Sequence, residues 1–157
     1  MNDRSVLDPS GAAFRLDNSP FYLIAHADFK YHEDMEKVLH KHGVSKPMYR
    51  IMTVLRERQP ASIGALAEAA LTKRSSVSRI VDRMLEQGLV DTQPNLEDNR
   101  ITEVSLTPAG HETLGKLTPI VGRQVMRAMK GISEGDIAHL LRTLHKISNN
   151  LSKLPIE

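Results

Sequence analysis

The apolar residues of this chain change their spacing twice. Up to Gln87 they step by three and four, between Leu89 and Leu106 they alternate, and from Thr107 onward the helical stride returns. So short an alternating stretch between helical runs is enough for one β-hairpin and too little for a sheet with its own core. The expected class is therefore mainly α (α+β), in which a small hairpin is attached to helices. At 157 residues the chain has the length of one domain with accessory elements.

Residues 1–19 read as a loose arm. From Pro20 to about His42, Ile24, Ala27, Tyr31, Met35 and Val38 mark the inward face of a first helix, and Gly43 stops it. Pro47 opens a second helix, faced by Met48, Ile51, Met52 and Leu55 and ended by Pro60. Ser62 caps a short third helix that ends near Leu71, with Ile63, Leu66, Ala67 and Ala70 inward. A fourth runs from Arg74 to Gln87, burying Val77, Ile80, Val81, Met84 and Leu85, with Gly88 at its left-handed end.

Leu89–Gln93 and Ile101–Leu106 form the two strands of the hairpin, separated by the turn-rich residues 94–100. Thr107 and Pro108 start a fifth helix carrying Leu114, Leu117, Val121, Val125 and Met129, which Gly131 breaks. Ser133 and Asp136 open a sixth, where Ile137, Leu140, Leu141, Leu144, Ile147, Leu151 and Leu154 make a regular stripe. Long amphipathic helices at both chain ends, flanking a compact middle, are most economically buried by a second copy. The organisation expected is an N-terminal arm and dimerisation helix (1–44), a middle module (45–106) and C-terminal dimerisation helices (107–157).

Net charge is only +2, yet it is unevenly spread. Residues 1–44 hold five basic and seven acidic side chains, residues 45–90 eight and four, and residues 91–157 eight and eight. In the central part, Lys73, Arg74, Arg79 and Arg83 are opposed only by Asp82 over eleven residues. A local basic stripe is what phosphate contact needs, because each neutralised phosphate releases condensed counterions. With no cysteine, disulfides, thiolate metal sites and cysteine nucleophiles are excluded. No apolar run approaches the roughly 20 residues of a membrane span, and no secretory signal precedes Ser10, so the cytoplasm is the expected compartment and no membrane is expected as a partner.

Three helices followed by a hairpin, with the fourth helix basic on its outer face, is the plan of a winged helix-turn-helix. A helix fits the major groove of B-DNA and its N-terminal residues reach base edges, while the preceding helix braces it. With the apolar stripe inward, Arg74, Ser75, Ser78, Arg79 and Arg83 are left outside. Small hydroxyls permit close approach to DNA, and arginine takes guanine or phosphate with two parallel hydrogen bonds. A solvated helix face is the plainer reading of the same charges.

Leu66-Ala67-Glu68, the run from Lys73 through Arg79 and Arg83 to Val90, Asp98-Asn99-Arg100 and Val104 to Gly110 together resemble the MarR family of bacterial transcriptional regulators, and about 130 residues are consistent with it. The resemblance implies a homodimer whose interlocked terminal helices carry two winged modules onto a pseudo-palindromic duplex. It also implies a DNA-contact set of Lys73, Arg74, Ser75, Ser76, Ser78, Arg79 and Arg83 with the wing residues Asp98 and Arg100, the arginine entering the minor groove and the aspartate orienting it or bracing the wing. The wing departs from the family in carrying Thr92 and Gln93 where arginine is frequent, and Glu97 in addition.

The resemblance further implies release from DNA by a small aromatic acid or its CoA thioester, bound between the dimer helices and the winged module. Tyr22, His26 and Phe29 share a helix face and, with Tyr49, Arg50 and Met52 of the second helix, form the expected pocket; packing between two helices is the alternative. The stretch from Phe21 to Arg58 looks most like the branch that senses hydroxycinnamate-type compounds or their thioesters. His32, Glu36 and His40, with Asp28 and His111, raise a zinc or manganese sensor as a second reading. Residues eight apart lie about 12 Å apart along a helix, so a solvated face is preferred and no metal or other cofactor is assigned. Neither a phosphate-binding glycine loop, a Gly-x-Ser-x-Gly elbow nor a His-Glu-x-x-His is present, so an enzyme is not expected. An adaptor using the winged fold without DNA is the other remaining reading.

Overall fold

A computed structural model describes residues 4–153. The first residues of the arm and the last position of the C-terminal stripe, Leu154, lie outside the described residues. The elements run α1 (Pro20–Lys41), α2 (Lys46–Glu57), β1 (Ala61–Ser62), α3 (Ile63–Ala69), α4 (Arg74–Glu86), β2 (Val90–Pro94), β3 (Thr102–Leu106), α5 (Pro108–Ala128) and α6 (Glu134–Lys153). The chain forms two compact units that divide between Gln124 and Val125.

Local chemistry explains the helix limits in the first unit. The Ser45 hydroxyl accepts from Met48 N–H and starts α2, the Ser62 hydroxyl accepts from Ala65 N–H and starts α3, and that of Thr107 accepts from Gly110 N–H and starts α5. Gly88, at φ +65°, ends α4, its N–H bonding to Leu85 and that of Leu89 reaching back to Met84. The Thr107 hydroxyl also donates to the Gly88 carbonyl at 2.6 Å. Gly110 allows α5 to begin against this turn, since a Cβ there would collide with the Leu89 carbonyl oxygen.

The core of this unit gathers the stripes of α2, α3 and α4. Met48, Ile51, Met52 and Leu55 are at most 2 % exposed, and Leu66, Val77 and Met84 close on them. Leu114 and Leu117 of α5 are also buried. The hairpin is one strand larger than the sequence suggested: the sheet is antiparallel in the order β1-β3-β2, with Ala61 opposite Val104 and Val90 opposite Leu106.

On α1 the expected inward face is only partly correct. Met35 and Leu39 are buried and Tyr31 and Val38 half-buried, whereas every residue from Pro20 to Lys30 is exposed, Ile24 and Ala27 included. The cause is length: the 22 residues of α1 span about 33 Å, and the 12 of α2, which packs on α1, about 18 Å. On α4, likewise, Ile80 is only half-buried and Leu85 exposed.

The second unit contains the end of α5 and α6, joined through Gly131 at φ +81°. Asp136 N–H donates to the Ser133 hydroxyl, which caps α6, and that hydroxyl donates to the Asp136 carboxylate. Among the described residues of α6 none is buried: Ile137, Leu144 and Ile147 are half-buried, and Leu140, Leu141 and Leu151 are exposed. Among the described residues no helix is long and apolar enough to cross a membrane.

Candidate nucleic-acid interface

The face of α4 opposite Val77, Val81 and Met84 follows from helical geometry. Ser75, Arg79 and Asp82 stand directly opposite the buried stripe, Arg74 and Ser78 flank it on one side, and Ser76 and Arg83 on the other. All seven, and Lys73 before them, are exposed. Arg74 lies across Gly64, where a Cβ would collide with its guanidinium. It therefore lines a cleft between the start of α3 and the base of the wing, together with Ser62, Thr102 and Arg100. Arg74, at the start of α4, and the wing arginine thus share one open cleft.

Asp98 sets the orientation of Arg100. Its Oδ1 accepts from the Arg100 backbone N–H and from Nε, each at 3.0 Å, and its Oδ2 accepts from Nη2 at 3.1 Å. This fork holds a guanidinium whose side chain is 90 % exposed in one direction. Hydrogen bonds from Arg100 lower the Asp98 pKa, and the same pairing raises that of Arg100. The turn beneath is built by Asn95, whose side-chain oxygen accepts from Glu97 and Asp98 N–H while its amide donates to Glu103 at 2.7 Å. Asn95 falls in the turn-rich stretch the sequence marks between the strands, but its hold on the wing was not singled out there. Sequence reasoning missed Gln59, whose side-chain oxygen accepts from Leu106 N–H and whose amide nitrogen lies 3.2 Å from His111 Nε2, tying the wing to α5.

The residues expected to line a pocket are not brought together as a set. Tyr49 and Arg50 line a cavity of about 120 Å³ between α1 and α2, but their partners on α1 are Tyr31, His32, Met35 and Leu39. Tyr22 and His26 meet with tilted rings, their centroids 5.8 Å apart, on the stretch of α1 that is exposed. Phe29 lines an open depression with Asp28 and Glu33 that shares only His32 and Lys46 with this cavity, and Met52 is wholly buried in the core. Lys46, which the sequence did not single out, lines the cavity between α1 and α2 and a second of about 60 Å³ between α2, the α3–α4 turn and α4. Burial raises the pKa of Tyr31 and Tyr49, keeping both phenols protonated. Burial, Lys46 and Arg50 lower that of His32 despite its 3.0 Å bond to Asp28.

Among the described residues no group of three histidine, aspartate or glutamate side chains could hold a metal ion. His32 pairs with Asp28 and His40 lies 3.8 Å from Glu36, so the histidines of α1 have local partners.

Known proteins share this plan. The MarR family model matches residues 44–102, which contain α2, α3, α4, β2 and the wing tip. The transcriptional repressor IacR of Pseudomonas putida is 34 % identical over 147 residues, covering 94 % of this chain and 88 % of IacR. A MarR-family regulator from Silicibacter pomeroyi superposes with a TM-score of 0.81 at 27 % identity, covering 90 % of this chain and 96 % of that one. BpsR of Bordetella bronchiseptica, whose structure addresses regulation of its DNA binding by 6-hydroxynicotinic acid, shares the fold at a TM-score of 0.73 and 16 % identity, over 82 % of this chain and 97 % of its own. A winged module of this order and similarity to a repressor along nearly the whole chain lead to one assignment: the chain belongs to the MarR family of DNA-binding transcriptional regulators.

Proposed function

We propose that two copies of this chain form a repressor of a pseudo-palindromic operator, and that a small aromatic acid or its CoA thioester lowers the dimer's affinity for that operator. In this reading residues 45–106 bind DNA. Ser75, Ser78 and Arg79 contact bases or phosphates in the major groove, with Lys73, Arg74, Ser76 and Arg83 on the flanking phosphates, and Arg100, held by Asp98, enters the minor groove. The observation that carries the reading is the exposed basic face of α4, whose first residue Arg74 shares a cleft with Arg100. Pairing of two chains through the helices of residues 1–44 and 107–157 is supported by the unburied apolar residues of α6 and of the first half of α1.

An anionic aromatic ligand suits the cavity between α1 and α2, which presents two phenols, an imidazole and the cations Lys46 and Arg50. Tyr31, His32 and Lys46 therefore replace Tyr22, His26 and Phe29 as the proposed ligand contacts, beside Tyr49 and Arg50. The ligand must favour a dimer whose α4 helices no longer match half-sites about 34 Å apart. Fluorescence anisotropy against the duplex immediately upstream of the coding region, beside a scrambled duplex at low and physiological salt, tests the reading. Preference for the upstream duplex at the higher salt is expected, and no binding even at low salt overturns it.

A further inference from the structure

The turn between α3 and α4 is closed in an unusual way. The N–H of Leu71 bonds to the Glu68 carbonyl and that of Thr72 to the Ala67 carbonyl, the pattern in which a helix ends on a left-handed residue. That residue is usually glycine, as Gly88 is for α4, but here it is Leu71 at φ +52°, with its side chain 85 % exposed. A strained turn persists only where its surroundings hold it. Beside Leu71, the Ala70 carbonyl accepts from Thr72 Oγ1 at 3.2 Å and, from α2, from Arg50 Nη1 at 3.1 Å. Arg50 is thus the side chain of another element that grips the turn leading into the DNA-facing helix.

Arg50 also lines both cavities described above. Of the two cations shared by those cavities, Lys46 has a carboxylate partner, Asp28 at 3.5 Å. Among the described residues Arg50 has none; its guanidinium is partnered by a neutral carbonyl. A carboxylate is a stronger acceptor for guanidinium than a peptide oxygen and takes two of its donors at once.

We infer that Arg50 is the coupling residue of this regulator: an anion bound between α1 and α2 draws the guanidinium away from the Ala70 carbonyl, and the turn that sets α4 loses its brace. The inference rests on the proposed ligand reading and adds to it the route by which occupancy reaches DNA. Arg50 is in this account a positioning residue for α4, and Lys46 an anchor for the anion.

The test uses the full chain with 6-hydroxynicotinate and benzoate as probes, binding measured by calorimetry and DNA affinity by anisotropy. In the wild-type chain, saturation with a bound probe weakens DNA binding at least fivefold, within the usual range of roughly five- to 150-fold for such coupling. Arg50→Lys keeps the charge and binds the probe within about tenfold of wild type, but its DNA affinity changes less than twofold at saturation. Lys46→Gln does the opposite, binding the probe weakly yet showing the wild-type change once saturated. Arg50→Lys with wild-type coupling at saturation overturns the inference. So does a wild-type Ala70 carbonyl ¹³C resonance that stays in place on probe binding, a measurement that needs no variant and stands even if Arg50→Lys fails to fold. No heat from either probe, seen before any DNA is added, overturns the ligand reading itself and the coupling with it.

Discussion

Helices α2 and α6 carry apolar stripes of similar spacing with opposite fates. In α2, Met48, Ile51, Met52 and Leu55 are at most 2 % exposed, whereas in α6 Leu140, Leu141 and Leu151 are 45, 53 and 59 % exposed. The difference lies in what the same chain supplies. Around α2 stand α1, α3, α4 and β3, each contributing a short apolar face. Among the described residues of its own unit α6 has only the end of α5 and the Gly131 turn. An amphipathic stripe therefore specifies that a helix has a partner and leaves open whether that partner is in the same chain. The first half of α1 belongs with α6 in this respect, with Phe21 58 % and Phe29 62 % exposed.

The comparison can be broken by substitution. Met52→Ala empties a site with no exposure and is expected to cost about 2–5 kcal/mol in urea unfolding, whatever the protein concentration. Were Leu141→Ala to cost as much in dilute solution, α6 would be a core helix of the single chain and the contrast would fail. Arg79→Glu, on the exposed face of α4, should leave the thermal midpoint unchanged while weakening binding to the upstream duplex about a hundredfold, roughly 3 kcal/mol. Equal loss in stability and DNA binding would place Arg79 in the fold instead of the interface. Leu141→Glu should raise the dimer dissociation constant at least tenfold, about 1.4 kcal/mol, as read by sedimentation equilibrium, with the core intact by circular dichroism.

Smaller effects sharpen the picture inside the winged module. Leu71→Gly relieves a left-handed leucine that costs about 1–2 kcal/mol, against an entropic cost of about 0.5–1 kcal/mol for a glycine in the unfolded chain. A net gain of about 0.5–1 kcal/mol in unfolding free energy is expected, and no such gain should follow at Gly88, where glycine already stands. Smallest is the response of His32 to pH. Burial, Lys46 and Arg50 hold its pKa below the ordinary 6.5, outweighing Asp28. The unfolded chain therefore binds a proton at pH values where the folded chain does not, so stability is full above pH 6.5 and declines as the pH falls below it. His32→Gln should flatten that decline in urea midpoints between about pH 7.5 and 5.5.

Helix limits and the wing were legible because their signals are local. Ser62, Thr107 and Ser133 cap helices by bonds to residues three further on, and Gly43 and Gly88 have the positive φ their positions suggest. The two-residue β1 was not legible, since Ala61 and Ser62 are too few to alternate and pair with β3 some forty residues away. Nor were the cavity walls. Periodicity placed Tyr22, His26 and Phe29 on one face of α1, but it carries no information on which turns α2 is long enough to cover. The grip of Arg50 on Ala70 joins residues twenty apart and leaves no trace in spacing.

The most direct test of the central claim, that the faces left bare in one chain pair two copies so that two α4 helices read one duplex, is the mass of the complex by sedimentation equilibrium on the upstream DNA. Two chains are predicted per duplex, present as a dimer before DNA is added, with binding reduced when one half-site is scrambled. A single chain per duplex, bound equally to upstream and scrambled DNA, would contradict it.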